Sequence, residues 1–374
     1  MRIGLVCPYN MFKGGGVQEC VLALKAELTA RGHTVQIITP RPRVVPADYD
    51  KDILLVGGAT DVKSPFQKTT AQVAATLDSA ALEAMLKSHK FDVIHFHEPW
   101  VPLMSWQLLN RSKDAAHVAT FHAKLPETVM SRTIEKVITP YTKAILKPLG
   151  ELTAVSEAAS EYVNSLTTKK PIIIPNGIDL DKYKPATSRK AKGPQTIVYV
   201  GRLEGRKGVK YLIKAFAGLA KKSDNVELHI IGDGPDRVKL KELVKSKKIP
   251  RVFFHGFVDE GVKIKAIQEA DIFCSPALYG ESFGIVLLEA MALGTVVLAG
   301  NNPGYAAVLK DKSEVSIVNP KDTKTFTARL EQLLDDEKLR EEWQAWAAEY
   351  VKQFNYSRIT DMYEDVYKKA LASS

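Results

Sequence analysis

At 374 residues the chain is longer than one hydrophobic core usually serves, which points to two domains. Its 45% hydrophobic and 25% charged composition is that of a soluble globular protein and excludes a disordered or collagen-like chain. A formal net charge of +9 suits nucleic acid, an anionic membrane surface or a phosphorylated substrate, and does not choose among them. The most apolar run, 283–299, is broken by Glu289 and Gly294 and reads as helix, turn and strand rather than a membrane span. The opening Arg2-Ile3-Gly4-Leu5-Val6-Cys7 is too short for a signal-peptide core and meets Pro8. Cys7, Cys20 and Cys274 are scattered among apolar residues; they read as reduced core thiols of a cytosolic protein, not as a disulfide framework or metal site.

In chain order, residues 3–7 form a short apolar strand. Gly14-Gly15-Gly16 then precedes Val17, Val21, Leu22, Leu24, Ala26 and Leu28 at helical spacing. Gly32 ends that helix, and Val35-Gln36-Ile37-Ile38 reads as the next strand. Strand, glycine loop, helix, strand is a doubly wound unit, although the G-x-G-x-x-G dinucleotide fingerprint is absent. The alternation continues with a strand at 52–56, a helix at 70–87, a strand at 91–96, a helix at 103–111 and a strand at 117–122. His95 and His97 share a strand face, but no spaced cysteine or acid completes a metal site, so both read as structural. His122 stands at the C-terminal end of its strand, the edge where parallel sheets bind ligands.

The segment 131–147 is an amphipathic helix despite Pro140. Arg132, Lys136, Lys143 and Lys147 share one face; Ile134, Val137, Ile138, Tyr141 and Ile145 supply the other. That pattern fits either a solvated basic face or a patch for a membrane surface or acceptor phosphate. The polar, basic stretch 185–194 ends a connection, and a second alternating unit starts at Thr196. Its first strand leaves through Gly201-Arg202-Leu203-Glu204-Gly205-Arg206-Lys207-Gly208. After 296–299 the chain becomes mostly helical, with Trp343, Trp346, Phe354 and Tyr356 as anchors. The expected divisions are 1–184 and 185–355, each Rossmann-like, and a terminal helix at 356–374.

The stretch most specific for chemistry is 276–292. Its polar loop carries Glu281 and Ser282, Gly284 opens an apolar helix, and Glu289 lies eight residues beyond Glu281. The first N–H groups of such a helix have no internal partner and carry the positive end of its dipole, so a phosphate fits there. One carboxylate on each side of a bound phosphate could hold hydroxyls, as a sugar nucleotide requires. Arg202 and Lys207, on a loop leaving a strand, read as a diphosphate clamp. A nucleic-acid-binding protein is the competing class; runs such as Lys245-Ser246-Lys247-Lys248 are its support, but interleaved aromatics and a recognition motif are lacking.

The Glu281–Glu289 spacing is similar to that of retaining glycosyltransferases of the GT-B fold, and the whole stretch resembles the GT4 family. The likeness runs over nearly the whole chain. Met1 to Tyr9, Gly15-Gly16-Val17-Gln18 and His97-Glu98-Pro99 look most like phosphatidylinositol mannosyltransferases and other bacterial lipid glycosyltransferases. The resemblance implies an α/β fold of two doubly wound domains facing a central cleft, with the last helix crossing back to the first domain. It implies that Gly15 and Gly16 face the donor and that His122 reaches toward the transferred sugar. Arg202 and Lys207 would take the diphosphate, with Val258, Ser282, Phe283, Gly284 and Ile285 around the donor. Glu281 would hold sugar hydroxyls, Glu289 the ribose, and Tyr9 and Gln18 the acceptor. Asp179-Leu180-Asp181 spells the D-x-D of metal-dependent transferases, but it follows a Pro-Asn-Gly-Ile-Asp turn typical of GT4 chains and is set aside.

The expectation is therefore a retaining glycosyltransferase with no metal or other cofactor, the nucleotide sugar being a substrate. Its donor is of the GDP-mannose or UDP-glucose type. Its acceptor is a membrane lipid such as phosphatidylinositol or diacylglycerol, or alternatively a saccharide. Nucleic acid is not an expected partner. Location is cytoplasmic, peripheral on the inner membrane face for a lipid acceptor, with Arg132, Lys136, Lys143 and Lys147 as contacts. Two departures stand out: 71–80 carries no basic residue where those mannosyltransferases have a basic cluster, and Lys13 sits where the family often has an acid.

Overall fold

The computed structural model describes residues 1–63, 70–76, 78–123, 129–186 and 193–373, and their side chains apart from those of 59–63, 70–76 and 129–137. The chain divides into two compact units, one of Met1–Gly177 with Tyr356–Ser374 and one of Ile178–Asn355. The second unit thus starts at Ile178 rather than 185. The reason is local: Ile178 N–H donates to Phe354 O at 2.7 Å, and the Tyr183 hydroxyl donates to Glu289 at 3.1 Å.

The first unit runs β1 (Arg2–Val6), α1 (Gly16–Ala30), β2 (Thr34–Pro40), β3 (Ile53–Val56), β4 (Gly58–Lys63), β5 (Thr70–Thr76) and α2 (Ser79–His89). It continues with β6 (Val93–His97), α3 (Met104–Arg111), β7 (Ala116–Phe121), α4 (Val129–Leu146), β8 (Glu151–Ala154), α5 (Glu157–Asn164) and β9 (Ile172–Ile173). Its main sheet has the order β3-β2-β1-β6-β7-β8-β9. Every pairing in it is parallel; Ile3, for example, lies beside Val35 on one side and Val93 on the other. Helices must cover both faces of such a sheet, which is why β6 and β7 are buried along their whole length.

One expected helix is corrected. Residues 70–76 are not the start of a helix; β5 pairs antiparallel with β4, and α2 begins only at Ser79. Thr70, Val73 and Thr76 favour extended backbone, and Asp78 is a strong start signal, its carboxylate accepting from Ala80 N at 2.9 Å.

The second unit runs β10 (Gln195–Val200), α6 (Val209–Leu219), β11 (Val226–Ile231), α7 (Arg237–Ser246), β12 (Val252–Gly256), α8 (Glu260–Gln268), β13 (Ile272–Ser275) and α9 (Ile285–Ala292). Then come β14 (Val296–Gly300), α10 (Pro303–Val308), α11 (Ser313–Ser316), β15 (Ile317–Val318), α12 (Thr323–Asp335) and α13 (Glu337–Tyr350). Its sheet is parallel throughout, ordered β12-β11-β10-β13-β14-β15. The order reverses beside β10, so the loops after β10 and β13 flank the switch point where doubly wound sheets bind ligands.

The last helix, α14 (Tyr356–Ala372), belongs to the first unit. Ile359, Tyr363, Val366, Tyr367 and Ala370 enter the core formed by β1, α1, β6 and β7. Arg31 fixes its outer face through Asp361 and Glu364, both at 2.6 Å.

Candidate functional site

In the second unit the chemistry gathers on the loops after β10 and β13. Backbone contacts lace them together. Gly208 (φ 71°) ends a tight turn over Gly205–Lys207, and a Cβ there would stand 2.0 Å from Pro276 O. Leu278 N–H donates to Arg206 O at 2.8 Å, and Arg206 Nη1 donates to Gly280 O at 3.2 Å. Only glycine at 208 permits that approach.

This lacing brings charges together. Glu281 Oε1 receives Arg206 Nη1 at 2.5 Å and lies 2.8 Å from Lys207 Nζ. Arg206 Nε stands 2.8 Å from Glu204 Oε1, so Arg206 lies between two carboxylates. Arg202, with a 43% exposed side chain, is 3.7 Å from Glu204 Oε2 and faces solvent more than its neighbours. Three cations meet two acids, leaving one positive charge over the loop pair. Arg206 is the residue that the sequence reading passed over. Its position beside Lys207 in the same turn was the available signal.

Gly284 (φ 107°) caps α9 with no side-chain hydrogen bond of its own. A Cβ there would lie 2.6 Å from the Tyr305 ring, which the Ser275–Tyr305 hydroxyl pair fixes at 2.8 Å. The start of α9 is therefore bare backbone: Ser282, Gly284 and Ile285 are partly exposed, while Phe283 is buried. Glu289 sits farther into α9 and is buried. Its Oε1 accepts from the Tyr183 hydroxyl and its Oε2 from Lys263 Nζ, both at 3.1 Å. Val258 lies on the loop between β12 and α8, partly exposed, and is not in the charge cluster. Asp179 is spent within its own turn, accepting from Asp181 N and Lys182 N, and Asp181 pairs with Lys184.

In the first unit, Gly15 precedes α1, and the Gln18 side chain folds over it to donate to Asn10 O at 3.3 Å. Tyr9 lies next to that turn, its carbonyl accepting from Thr39 Oγ1. His122 is buried at the end of β7, with Nε2 2.8 Å from His97 Nδ1. Glu98 clamps the same corner: its Oε1 accepts from His122 N at 2.5 Å and Ala123 N at 2.7 Å. Its backbone is left-handed (φ 52°), an uncommon conformation for a side-chain-bearing residue. Burial lowers His122 to about 4, with the Asn176 side chain opposing, and holds His97 well below 6.5. Both imidazoles are neutral at pH 7. Burial likewise raises Glu98 to about 8, against its backbone N–H donors.

The geometry adds to the sequence reading of the histidines. His95 is structural, held by Tyr367 and Thr120, but His97 pairs with His122. A cysteine also stands near: Cys20, His97 and His122 each offer a ligand atom within 4.8 Å of the others. Linear spacing hid this, because Cys20 arrives on α1 and the histidines on β6 and β7. Of the proposed membrane contacts, Lys143 and Lys147 are exposed; the side chains of Arg132 and Lys136 lie outside the described residues. Among the described residues no helix is long and apolar enough to cross a membrane.

The chain matches the family model for Glycosyltransferase Family 4 over residues 14–182 and that for Glycosyl transferases group 1 over 182–350. It is 32% identical over 373 residues to the phosphatidyl-myo-inositol mannosyltransferase of Mycolicibacterium smegmatis, covering 98% of this chain and 94% of that one. The chain belongs to the GT4 family of glycosyltransferases. A second curated relative, the alpha-monoglucosyldiacylglycerol synthase of Streptococcus pneumoniae, is 26% identical over 83% of this chain and 74% of its own. Among solved structures, sucrose-phosphate synthase from Thermosynechococcus elongatus superposes with a TM-score of 0.79 at 21% identity, covering 100% and 99% of the two chains. A Rickettsia africae glycosyltransferase gives 0.78 at 20% identity over the same shares. These likenesses give the GT-B fold, and the family gives the enzyme class: this GT4 chain is a glycosyltransferase.

Proposed function

We propose that the chain moves a hexose from a nucleotide diphosphate sugar to a membrane lipid carrying a free hydroxyl, with retention at the anomeric carbon and without a metal. The observation that carries the reading is the loop pair after β10 and β13, where Arg202, Arg206 and Lys207 outnumber Glu204 and Glu281 beside the uncapped start of α9. A diphosphate is the anion that such a cluster and helix start suit. Arg202 and Lys207 hold it, and the N–H groups of Gly284 and Ile285 face its oxygens.

As the anomeric C–O bond to the diphosphate breaks, negative charge grows on the departing oxygen, and fixed cations stabilise it. The acceptor hydroxyl oxygen bonds to the anomeric carbon on the same face. Its proton passes to the departing phosphate oxygen, so the step balances without a protein nucleophile. Glu281 uses one oxygen on Arg206 and Lys207 and keeps the other for sugar hydroxyls. Glu289, oriented by Lys263 and Tyr183, takes the ribose. From the family resemblance, neutral His122 with Gly15 and Gly16 are the first unit's candidates for the donor, and Tyr9 and Gln18 its candidates for the acceptor.

Full-length similarity to phosphatidyl-myo-inositol mannosyltransferases supports phosphatidylinositol as acceptor and mannose as the hexose. The test offers labelled GDP-mannose and UDP-glucose to the protein with phosphatidylinositol or diacylglycerol vesicles, with and without EDTA. Label should enter the lipid fraction in both conditions. Turnover lost on chelation refutes metal independence, and label confined to soluble saccharide refutes the lipid acceptor.

A further inference from the structure

The buried corner that holds His122 also holds Cys20 and His97, which the transfer reaction does not use. α1, β6 and β7 converge there, each delivering one metal-ligating side chain. Cys20, His97 and His122 place their ligand atoms within 4.8 Å of one another. His97 shares Nδ1 with His122, and its Nε2 is buried with no hydrogen-bond partner. A native structure rarely leaves a ring nitrogen of a fully buried histidine unpaired, so this atom calls for an occupant.

We propose that Cys20, His97 and His122 bind a thiophilic divalent cation of the zinc type, and that its binding arrests sugar transfer. One thiolate and two imidazoles are a donor set for zinc rather than magnesium or calcium. From the usual bond lengths, a tetrahedral zinc needs its nitrogens about 3.3 Å apart and each nitrogen about 3.6 Å from sulfur. The three ligand atoms now lie within 4.8 Å of one another, so each nitrogen has to approach the sulfur by no more than about 1.2 Å to reach those bond-length values.

Charge also fits. The thiol releases its proton to solvent as the S–metal bond forms, which leaves one excess positive charge in a buried corner. The Glu98 carboxyl, whose Oε1 accepts from the His122 backbone N–H, stands beside that charge. The inference of arrest rests on the reading of His122 as a sugar-facing residue, because a metal-bound imidazole is pinned and its donor nitrogen spent. Binding itself does not rest on that reading.

The full chain is titrated with Zn2+ against a chromophoric chelator, and with Co2+ to record the thiolate-to-cobalt charge-transfer band. Mg2+ serves as the negative control. Wild type and Cys274→Ser, whose cysteine lies in the second unit, should bind one equivalent and show the band. Cys20→Ala, Cys20→Ser and His97→Gln should bind at least tenfold more weakly, and both Cys20 variants should lose the band. Equal binding by wild type and both Cys20 variants, or no band in wild type, overturns the site. In parallel, Zn2+ should slow hexose transfer by wild type at concentrations that leave Cys20→Ala unaffected. Cys20-dependent binding with undiminished transfer upholds the site and refutes the placing of His122 beside the sugar.

Discussion

Replacing Arg206 should separate folding from chemistry in the diphosphate loop. Arg206 joins Glu281 at 2.5 Å and Glu204 at 2.8 Å, and the two carboxylate side chains are only 12% and 6% exposed. Arg206→Met leaves both acids in a poorly solvated place. Removing one partner of a buried ion pair costs about 3–5 kcal/mol. Lys207 stays near Glu281, which puts the expected loss at the lower end, about 3 kcal/mol. For a unit of this size that lowers the melting temperature by about 6–12 °C. Arg202→Ala is the contrast. Its side chain is 43% exposed and 3.7 Å from Glu204, so its ion pair contributes about 0–1 kcal/mol of stability. Its loss to turnover should be that of a charge-assisted contact, about 1.5–3 kcal/mol, or roughly 10- to 150-fold in kcat/KM. Lys207→Ala should lose turnover to a similar degree. Urea unfolding and transfer rates on the same preparations decide the matter. An Arg206→Met protein as stable as wild type refutes the buried bridge, and Arg202→Ala with a wild-type rate refutes the clamp.

Other outcomes follow from the same geometry. Gly284→Ala combines a φ of 107° with a Cβ 2.6 Å from the Tyr305 ring, so it should lose about 1–3 kcal/mol and weaken donor binding; unchanged calorimetry and nucleotide affinity would contradict the close approach. Burial lowers His95 to about 3 and His122 to about 4, so their contribution to stability is complete above pH 6.5 and is lost as pH falls toward those values. Glu98, raised to about 8, runs the other way: its contribution is complete below about 4.5 and fades as pH rises through 8. Glu98→Gln should therefore gain on wild type in urea midpoints between pH 6 and 9, and a constant difference contradicts a buried titrating carboxyl. Flotation should show weak, salt-sensitive binding to anionic vesicles, at about 1 kcal/mol per cation. Recovery equal to that with neutral vesicles, or unchanged after neutralising Arg132, Lys136, Lys143 and Lys147, refutes the basic face.

The alternation of apolar strands and helices was legible because parallel sheets bury both faces and leave unbroken runs such as Val93–His97. The glycines at 208 and 284 marked the loops at the strand ends. Hairpin β4–β5 was missed because an alanine-rich stretch with helical propensity gives way to strand pairing, which no local pattern records. Arg206 was missed for a different reason. Linear sequence marks which side chains leave a strand end, but not which of two neighbouring cations turns inward. That choice is made by Gly208, whose missing Cβ lets the backbone after β10 meet Pro276 and so aims Arg206 at Glu281. Lys207 reaches the same oxygen, while Arg202, on the near side of the turn, stays open to solvent. The loop thus divides its labour by depth: Arg206 fixes a carboxylate, and Arg202 is the more exposed cation that an arriving anion meets. The His97–His122 corner shows the same dependence on convergence. Three elements, remote in sequence, make neighbours of residues whose linear spacing gives no sign of it.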